Sequence, residues 1–410
     1  MLALGGLLAA CGDGGTSAPN GPVDGGGIQP GHGAVPPGED LTQLENLAHL
    51  GYVDRAEPDG EEGGGVLEHE VGAAWAGYTL VTDLGNSRAV LIDMEGNERR
   101  VFRDPEIPDS HWSRAEILRN GDILALSPKA NDLSRRTFDG RLLWRLPLDV
   151  HHDGIELPDG RMLVLTRRFR AISGIDPERR SVDNLLTFVS ADGELGETLS
   201  LYDLLEAEPR VLEVVRPPGL DDLPPGYNID PIHANTVFWL ADPELERTNP
   251  LFRPGRVLVT LRYLDSVALF DLDEKRCVWA WGKGELEGPH DASILSNGHI
   301  LVLDNGYEPR GWSRVVEMDP LTGAIVWQYK APEPRRFHTS GRGTVQALPN
   351  GDVLVGNSNS GEAFEVTRDG RIVWRYLNPL RDEQGARGVI RVERYPAEFV
   401  EPLLESTPGR

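Results

Sequence analysis

Apolar positions in this chain recur as pairs of short runs, each pair split by a tight-turn dipeptide. HDGIELPDGRMLVLT from His152, HDASILSNGHILVLD from His290, SRAEILRNGDILALS from Ser113 and GTVQALPNGDVLVGN from Gly343 share one plan. An apolar stretch leads into Asn-Gly or Asp-Gly, and a second apolar stretch leads out. These dipeptides accept the positive φ that two-residue turns need, so each copy predicts a β-hairpin. Six such units can be counted. The first is GYTLVTDLGNSRAVLIDMEGNERRVF from Gly77, the second spans 111–148 and the third spans 151 to about 203. The fourth begins at His233, the fifth at His290, and the sixth runs from His338 to about Asn378. No helical periodicity longer than a few turns interrupts them, which argues against a parallel sheet wrapped in helices. Sheet repeats arranged about an axis make a β-propeller, in which equivalent inner-strand residues face a central channel. The expected fold is all-β: a six-bladed β-propeller preceded by a flexible tether and a short helix.

Four units close on a tryptophan: GRLLW (Trp144), CVW (Trp279), TGAIVW (Trp327) and GRIVW (Trp374). A large aromatic at one repeated strand position predicts sheet-to-sheet packing, so these side chains are assigned to the core. The third and fourth units carry insertions, 172–183 and 243–254. Long loops on one face of such a fold are where substrate contacts are expected.

The amino-terminal stretch differs in kind. MLALGGLLAA is apolar and ends in small residues, and Leu8-Ala9-Ala10-Cys11 has the pattern of a bacterial lipobox. Fifteen of the 29 residues from 12 to 40 are Gly or Pro, a composition that forms no core and behaves as a tether. Asp40 then precedes Leu41, Leu44, Leu47 and Leu50, the pattern of a short capped helix with one apolar stripe. The expected division is a lipoprotein signal over 1–11, tether and helix over 12–69, propeller over 70–395 and a tail over 396–410. A lipid on Cys11 would anchor the chain to a membrane of the bacterial cell envelope, on its extracytoplasmic or periplasmic side. Cys277, in a strand-like run, reads as a packed thiol.

The chain has 65 acidic against 41 basic residues, a net charge of −24. That balance argues against nucleic acid as a partner, because phosphate backbones demand a basic footprint.

Histidines stand at the starts of five units: His111, His152, His233, His290 and His338. In a propeller, residues this far apart meet at the channel. Against the repeat position, His111 is offset by two and His338 by five, which places both at the rim. His299 follows a turn on the solvent side, and His32, His49 and His69 have no catalytic pattern around them.

Three unit starts, VHHDG from Val150, NIDPIHAN from Asn228 and GPHDA from Gly288, carry a more specific signal. Between and after them come VLVTLRYLDSVALFD, with Arg262 ending an apolar strand, and ILVLDNGYEPRGWSRVVEMD. Together they resemble the arylsulfotransferase family, bacterial enzymes that move a sulfuryl group between phenols without a nucleotide donor. The resemblance covers about 150–376. It implies a six-bladed propeller, a nucleophilic histidine at His290, and further site residues at His233, Asn235 and Arg262. The earlier histidine of the site is His152 or its neighbour His151, and a seven-residue offset to the following turn favours His152. Substrate contacts are then expected from Asn235, His151, Asp304 and Arg342, although Asp304-Asn305-Gly306 also reads as a turn that closes a strand. The implied partners are an aryl sulfate donor and a phenolic acceptor, with no cofactor.

The chemistry of the residues agrees with that implication. Sulfuryl transfer resembles phosphoryl transfer, where positioning and charge stabilisation do most of the catalysis. Arg262 can present a fork of donors to two sulfuryl oxygens. A neutral imidazole is a competent nucleophile, and His233 or His152 can act as acid and base. Three histidines with an aspartate could instead bind zinc. Arg262 disfavours that reading, since a cation repels a cation site and attracts an anionic ester. From another class, a non-catalytic propeller that scaffolds the envelope or binds polysaccharide fits the hairpins equally, but gives no reason for inward histidines. A propeller hydrolase or a quinone-dependent enzyme finds no cofactor motif to support it.

Overall fold

The computed structural model describes residues 62–217, 220, 227–381 and 385–407. Cys11, the Gly/Pro-rich segment and the leucine stripe of residues 41–50 lie outside the described residues.

Six antiparallel sheets follow one another along the chain and close into a ring, a six-bladed β-propeller. Blade 2 comprises Arg114–Ile117, Ile123–Ser127, Asp132–Arg136 and Leu142–Pro147. Blade 3 comprises Val150–Glu156, Met162–Ile172, Asp176–Val189 and Leu195–Ser200. Ala234–Trp239, Arg256–Leu261, Ser266–Asp271 and Arg276–Trp281 form blade 4. His290–Ile294, Ile300–Asp304, Arg314–Asp319 and Ala324–Tyr329 form blade 5. Blade 6 comprises Thr344–Ala347, Val353–Asn357, Glu362–Val366 and Ile372–Leu377. Within each blade the strands run outward from the channel in chain order. Second strands are buried on both faces, as in Ile300–Asp304, because each sheet is sandwiched between two others. The outer strand Ala324–Tyr329 alternates instead, with one face toward water.

Blade 1 is built differently. Gly77–Asp83, Arg88–Ile92 and Glu98–Arg103 receive their innermost strand from the far end of the chain, Ile390–Pro396. Seven residue pairs join this closing strand to Gly77–Asp83, from Gly77 with Pro396 to Asp83 with Ile390. Gly65–His69 adds a fifth strand to the outer edge of blade 6, against Ile372–Leu377. Both ends of the sheet system therefore clasp the same junction, between blades 6 and 1. The segment after Pro396 is more than a tail: Ala397–Ser406 is helical, and its Phe399, Leu403 and Leu404 rest on the core between blades 1 and 2.

That core is one of six. Each apolar cluster lies between two neighbouring blades: Phe102 with Trp112 between 1 and 2, Leu126 with Val164 between 2 and 3, Leu165 with Val259 between 3 and 4. Leu269 with Val302, Leu303 with Phe364, and Trp374 with Val81 fill the remaining three junctions. Each buried side chain of this size contributes about 1.5–3 kcal/mol, so a blade is stable only between two others.

The tryptophans are not simply core. Trp374 is fully buried, but Trp144, Trp279 and Trp327 are half-buried on outer strands. Three of the four act through the indole N–H. Trp144 donates to Ala191 O in the outer turn of blade 3 at 2.8 Å, and Trp327 to Arg368 O in that of blade 6 at 2.8 Å. Trp374 donates to Met94 O in blade 1 at 3.0 Å. In blade 4 it is Trp281, not Trp279, that reaches the next blade, at Gly323 O and 3.2 Å. Each indole thus staples its blade to the outer hairpin of the following one.

The two insertions part company. The first is no loop: it lengthens the second and third strands of blade 3, which stay paired from Met162 with Val189 to Ala171 with Arg180. This hairpin rises at the end of the channel where inner strands begin. The second forms Pro243–Thr248 and Pro250–Phe252 between the inner and second strands of blade 4, hence at the opposite end.

Replacing Trp327 by Phe keeps the aromatic packing and removes one cross-blade hydrogen bond. The expected loss is about 1 kcal/mol, read by calorimetry as a fall in Tm of roughly 2–4 °C. A Tm equal to the parent's would show that the staple contributes nothing beyond packing.

Candidate functional site

Inner strands of a propeller begin at one end of the channel, and in three blades they begin irregularly. The pairing of the first two strands slips at residues 151–153 in blade 3, at Asn235 in blade 4 and at residues 291–292 in blade 5. Blades 2 and 6 pair regularly at the same place. Such bulges re-aim side chains and occur beside active sites. His152 and His233 both hold φ at 53°, in the left-handed region that a β-carbon disfavours, and Arg342 holds 58°.

A narrow cavity lies where these strands converge, lined by His152, Asn235, His290, Arg342, Thr344 and Arg391 among others. Its free space for the centres of water-sized molecules is about 20 Å³, room for one water and not for an aryl ring.

His290 is 3% exposed and held at both nitrogens. Nδ1 faces two acceptors, Asn305 Oδ1 at 2.8 Å and Gly288 O at 3.0 Å. Nε2 faces a donor, the Arg342 backbone N–H, at 3.0 Å. One tautomer satisfies all three: the proton sits on Nδ1 and the lone pair on Nε2. Asn305 is fixed in turn, because its Nδ2 donates to Thr339 O and Arg342 O, both at 2.7 Å. Burial, and after it the Arg262 guanidinium, holds the imidazole well below its ordinary range, so His290 is neutral near pH 7.

His151 and His152 form a hydrogen-bonded pair. His151 Nε2 meets Thr166 O at 3.1 Å and therefore carries a proton, which leaves its Nδ1 to accept from His152 Nδ1 at 3.1 Å. His152 consequently keeps its lone pair on Nε2. Burial and then the Arg167 guanidinium push His151 down to about 3. Burial and then His233 and His151 hold His152 well below the ordinary range. The His151 ring lies behind the cavity and His152 lines it.

The His233 ring meets that of His152 edge to face, with centroids 5.0 Å apart. Its Nδ1 lies 3.0 Å from Asp230 Oδ2, and both side chains are fully buried. Asp230 is itself fixed, since its Oδ1 accepts from the backbone N–H groups of Ile232 and His233 and from Asn184 Nδ2. The extended hairpin of blade 3 supplies Asn184 and also bonds residue 229, with Val182 N–H donating to Ile229 O at 2.6 Å. The insertion's contribution to the site is therefore the placement of Asp230.

Arg262 opens the short turn Arg262–Leu264 after the second strand of blade 4. Its N–H donates to His233 O at 3.1 Å and its Nη2 to Ser340 O at 3.3 Å. Tyr263 packs between them, its ring 4.6 Å from that of His233 and 5.5 Å from the guanidinium. Asn235 lines the cavity and donates from Nδ2 to Pro289 O at 3.2 Å, beside His290.

His290, His152, Asn235 and Arg342 thus share the cavity wall, with His233 and Arg262 packed against that group. Asp304 lies elsewhere. Its carboxylate takes Arg314 at 2.6 Å, Arg310 at 2.9 Å and the Glu287 N–H at 2.8 Å, the pattern of a strand-closing turn. Its neighbour Asn305 is the residue that touches His290. Among the other histidines, His111 meets Lys129 Nζ at 3.0 Å and His299 meets Glu317 at 2.6 Å, both outside the cavity. Burial pushes the Cys277 thiol up to about 12, so it is inert. Among the described residues no three His, Cys, Asp or Glu side chains gather as a metal site, and no helix is long and apolar enough to cross a membrane.

Sequence reasoning passed over three contributors. Asp230 stood in plain view three residues before His233. Asn305 was absorbed into a turn motif. Arg391 sits on the closing strand, which carries no repeat pattern.

Comparison with known proteins bears on the family. Among solved structures, a Bacteroides caccae protein of unknown function shares 15% identity over 78% of this chain and 98% of its own, with a TM-score of 0.49. A streptogramin B lyase shares 14% identity over 81% of this chain and 93% of its own, with a TM-score of 0.45. Virginiamycin B lyase from Staphylococcus aureus shares 13% over 80% and 89%, with a TM-score of 0.43. Likeness at that level bears on no functional question. No curated protein matches the chain. The sequence profile described as arylsulfotransferase (ASST) matches residues 139–379, from the outer strand of blade 2 to that of blade 6 and more than half of the chain. The chain belongs to the arylsulfotransferase family.

Proposed function

We propose that the protein transfers a sulfuryl group from an aryl sulfate to a phenol, by way of a sulfo-histidine at His290. The observation that carries this reading is the hydrogen bonding of His290, which puts a neutral lone pair on Nε2 at the cavity wall.

In the first half-reaction Nε2 forms a bond to sulfur as the bond from sulfur to the aryl oxygen breaks. The departing oxygen keeps the electron pair and takes a proton from the His233 imidazolium, for which Asp230 is the counter-charge. Positive charge grows on the His290 ring meanwhile, and Asn305 Oδ1 and Gly288 O accept from the Nδ1–H that bears it. In the second half the acceptor oxygen attacks sulfur, Nε2 regains its pair, and His233, left neutral by the first half, takes the acceptor's proton. Arg262 offsets the charge of the sulfuryl oxygens.

For the sulfur to reach Nε2, the Arg342 N–H must leave it, and the narrow cavity must open on the side of residues 339–343. The same N–H is then available to a sulfuryl oxygen. Since a scaffold needs no such arrangement, the histidines favour the enzyme over a structural propeller.

Four outcomes are expected. His290→Asn is expected to abolish radiolabelled sulfo-enzyme formed from an aryl [35S]sulfate, with the far-UV spectrum unchanged. Full turnover by that variant would overturn the nucleophile. The acid limb of the kcat/KM profile is expected below pH 6.5, because the buried His290 stays neutral until pH falls to its lowered value. Removing the cation in Arg262→Gln raises that value, so the limb should move to higher pH while kcat/KM falls by about 2–4 kcal/mol of transition-state stabilisation. A limb that stays in place would sever Arg262 from His290. Finally, with a lipid on Cys11 the protein is held at the cell envelope. Cys11→Ser is expected to move it from the membrane to the soluble fraction, which fractionation and blotting would read.

A further inference from the structure

Below the histidines the channel is crossed by charge. Asp153 follows His152 and Asp291 follows His290, in strands two blades apart. Each aspartate ties its strand to the next blade: Asp153 Oδ2 accepts from Val237 N–H at 2.9 Å, and Asp291 Oδ2 from Val345 N–H at 2.7 Å. The remaining oxygens of both converge on one cation. Arg391 Nη2, from the closing strand, lies 3.4 Å from Asp153 Oδ1 and 3.4 Å from Asp291 Oδ1. Its side chain is 17% exposed, and it lines the cavity that His152 and His290 also line.

We propose that Arg391 is a positioning residue for the reaction, acting through Asp153 and Asp291 to hold His152 and His290 in register across the channel. This rests on the reading of His290 as the nucleophile. Arg391 belongs to blade 1, whereas the histidines belong to blades 3 and 5, so the guanidinium is a cross-channel tie that no sheet hydrogen bond replaces. The tie on the Asp291 side leads back to the nucleophile. Val345, held by Asp291, lies three residues after Arg342, whose N–H meets His290 Nε2. On the Asp153 side, Val237 lies two residues after Asn235, another wall residue of the cavity.

Without the cation the two carboxylates, Asp153 buried and Asp291 partly buried, repel each other with less to offset them. Arg114 still pairs with Asp153 at 2.6 Å, with Glu116 and Glu393 beside it, but Asp291 loses its nearest cation. Burial pushes the Asp291 carboxyl up, and Arg391 is the first of the charges that pull it back. The strand start bearing His290 and the chain bearing Arg342 would then relax independently. Misplacement of about 1 Å at a reacting atom costs on the order of 100-fold in rate.

The test compares the parent with Arg391→Ala, Arg391→Gln and Arg391→Lys in the full chain. Steady-state kinetics with a chromogenic aryl sulfate and a phenol are measured beside 15N spectra of the histidine rings. Arg391→Ala and Arg391→Gln are expected to lower kcat about 10–100-fold with little change in KM, and to shift the His290 ring-nitrogen signals. Arg391→Lys, which keeps the charge, should recover much of both. Should the alanine variant fail to fold, the glutamine variant carries the same comparison. A fall in Tm with kcat and ring signals unchanged would reduce Arg391 to a structural tie and overturn the inference. If the parent turns over no aryl sulfate, the proposed function fails on its own. The ring signals then decide for Arg391: displaced in Arg391→Gln they support the positioning role, and undisturbed they overturn it.

Discussion

Ring closure is the constraint on which everything else in this molecule rests. Among the described residues no blade has a core of its own, because every apolar cluster lies between two blades. The sixth junction forms only when Ile390–Pro396 pairs with Gly77–Asp83. That strand does more than complete a sheet. Arg394, fully buried, pairs with Glu365 of blade 6 and lies 4.5 Å from the Trp374 ring, so the closing strand also locks the junction by charge and stacking. Gly77 lies under the backbone of Tyr395 so closely that a β-carbon there would come within 2.4 Å of its carbonyl oxygen.

Closure brings distant residues together, and local irregularity then aims them. Regular pairing at the channel mouth would give every blade the same inner-strand geometry. Blades 3, 4 and 5 break it where His152, Asn235 and His290 stand. The left-handed backbone at His152 and His233 costs about 1–3 kcal/mol each, and it persists because the surrounding ring over-determines it. The neutral imidazoles of His152 and His290 follow from the same burial. The surroundings that would resist charging them leave their lone pairs available.

Much of this was legible in the chain because the hairpin turn acts as a ruler. Seven residues before the first turn residue stand Ser113, His152, His290 and Gly343, and all four line the cavity. Counting from the turns therefore recovers the ring, and it set His152 above His151. The ruler fails where there is no hairpin to count from. The closing strand and Gly65–His69 each contribute one strand far from its partners in sequence, so periodicity could not reveal them. Nor could it tell Asp304, neutralised by two arginines, from Asn305 one residue on, since the choice depends on which side chain the turn delivers to His290. The tryptophans were incomplete as core: the indole N–H groups of Trp144, Trp327 and Trp374 make cross-blade hydrogen bonds that a hydropathy pattern cannot register.

The position of the closing strand also sets a clock. Asp83 pairs with Ile390, so 307 positions of chain are made between the two partners. At ~5–20 residues per second that is a delay of about 15–60 s. Throughout it Gly77–Asp83, buried along its whole length in the finished ring, keeps one unpaired backbone edge that another strand can occupy. The first blade to emerge is thus the last to be completed, and the nascent chain is most exposed to self-association just before it becomes a closed surface.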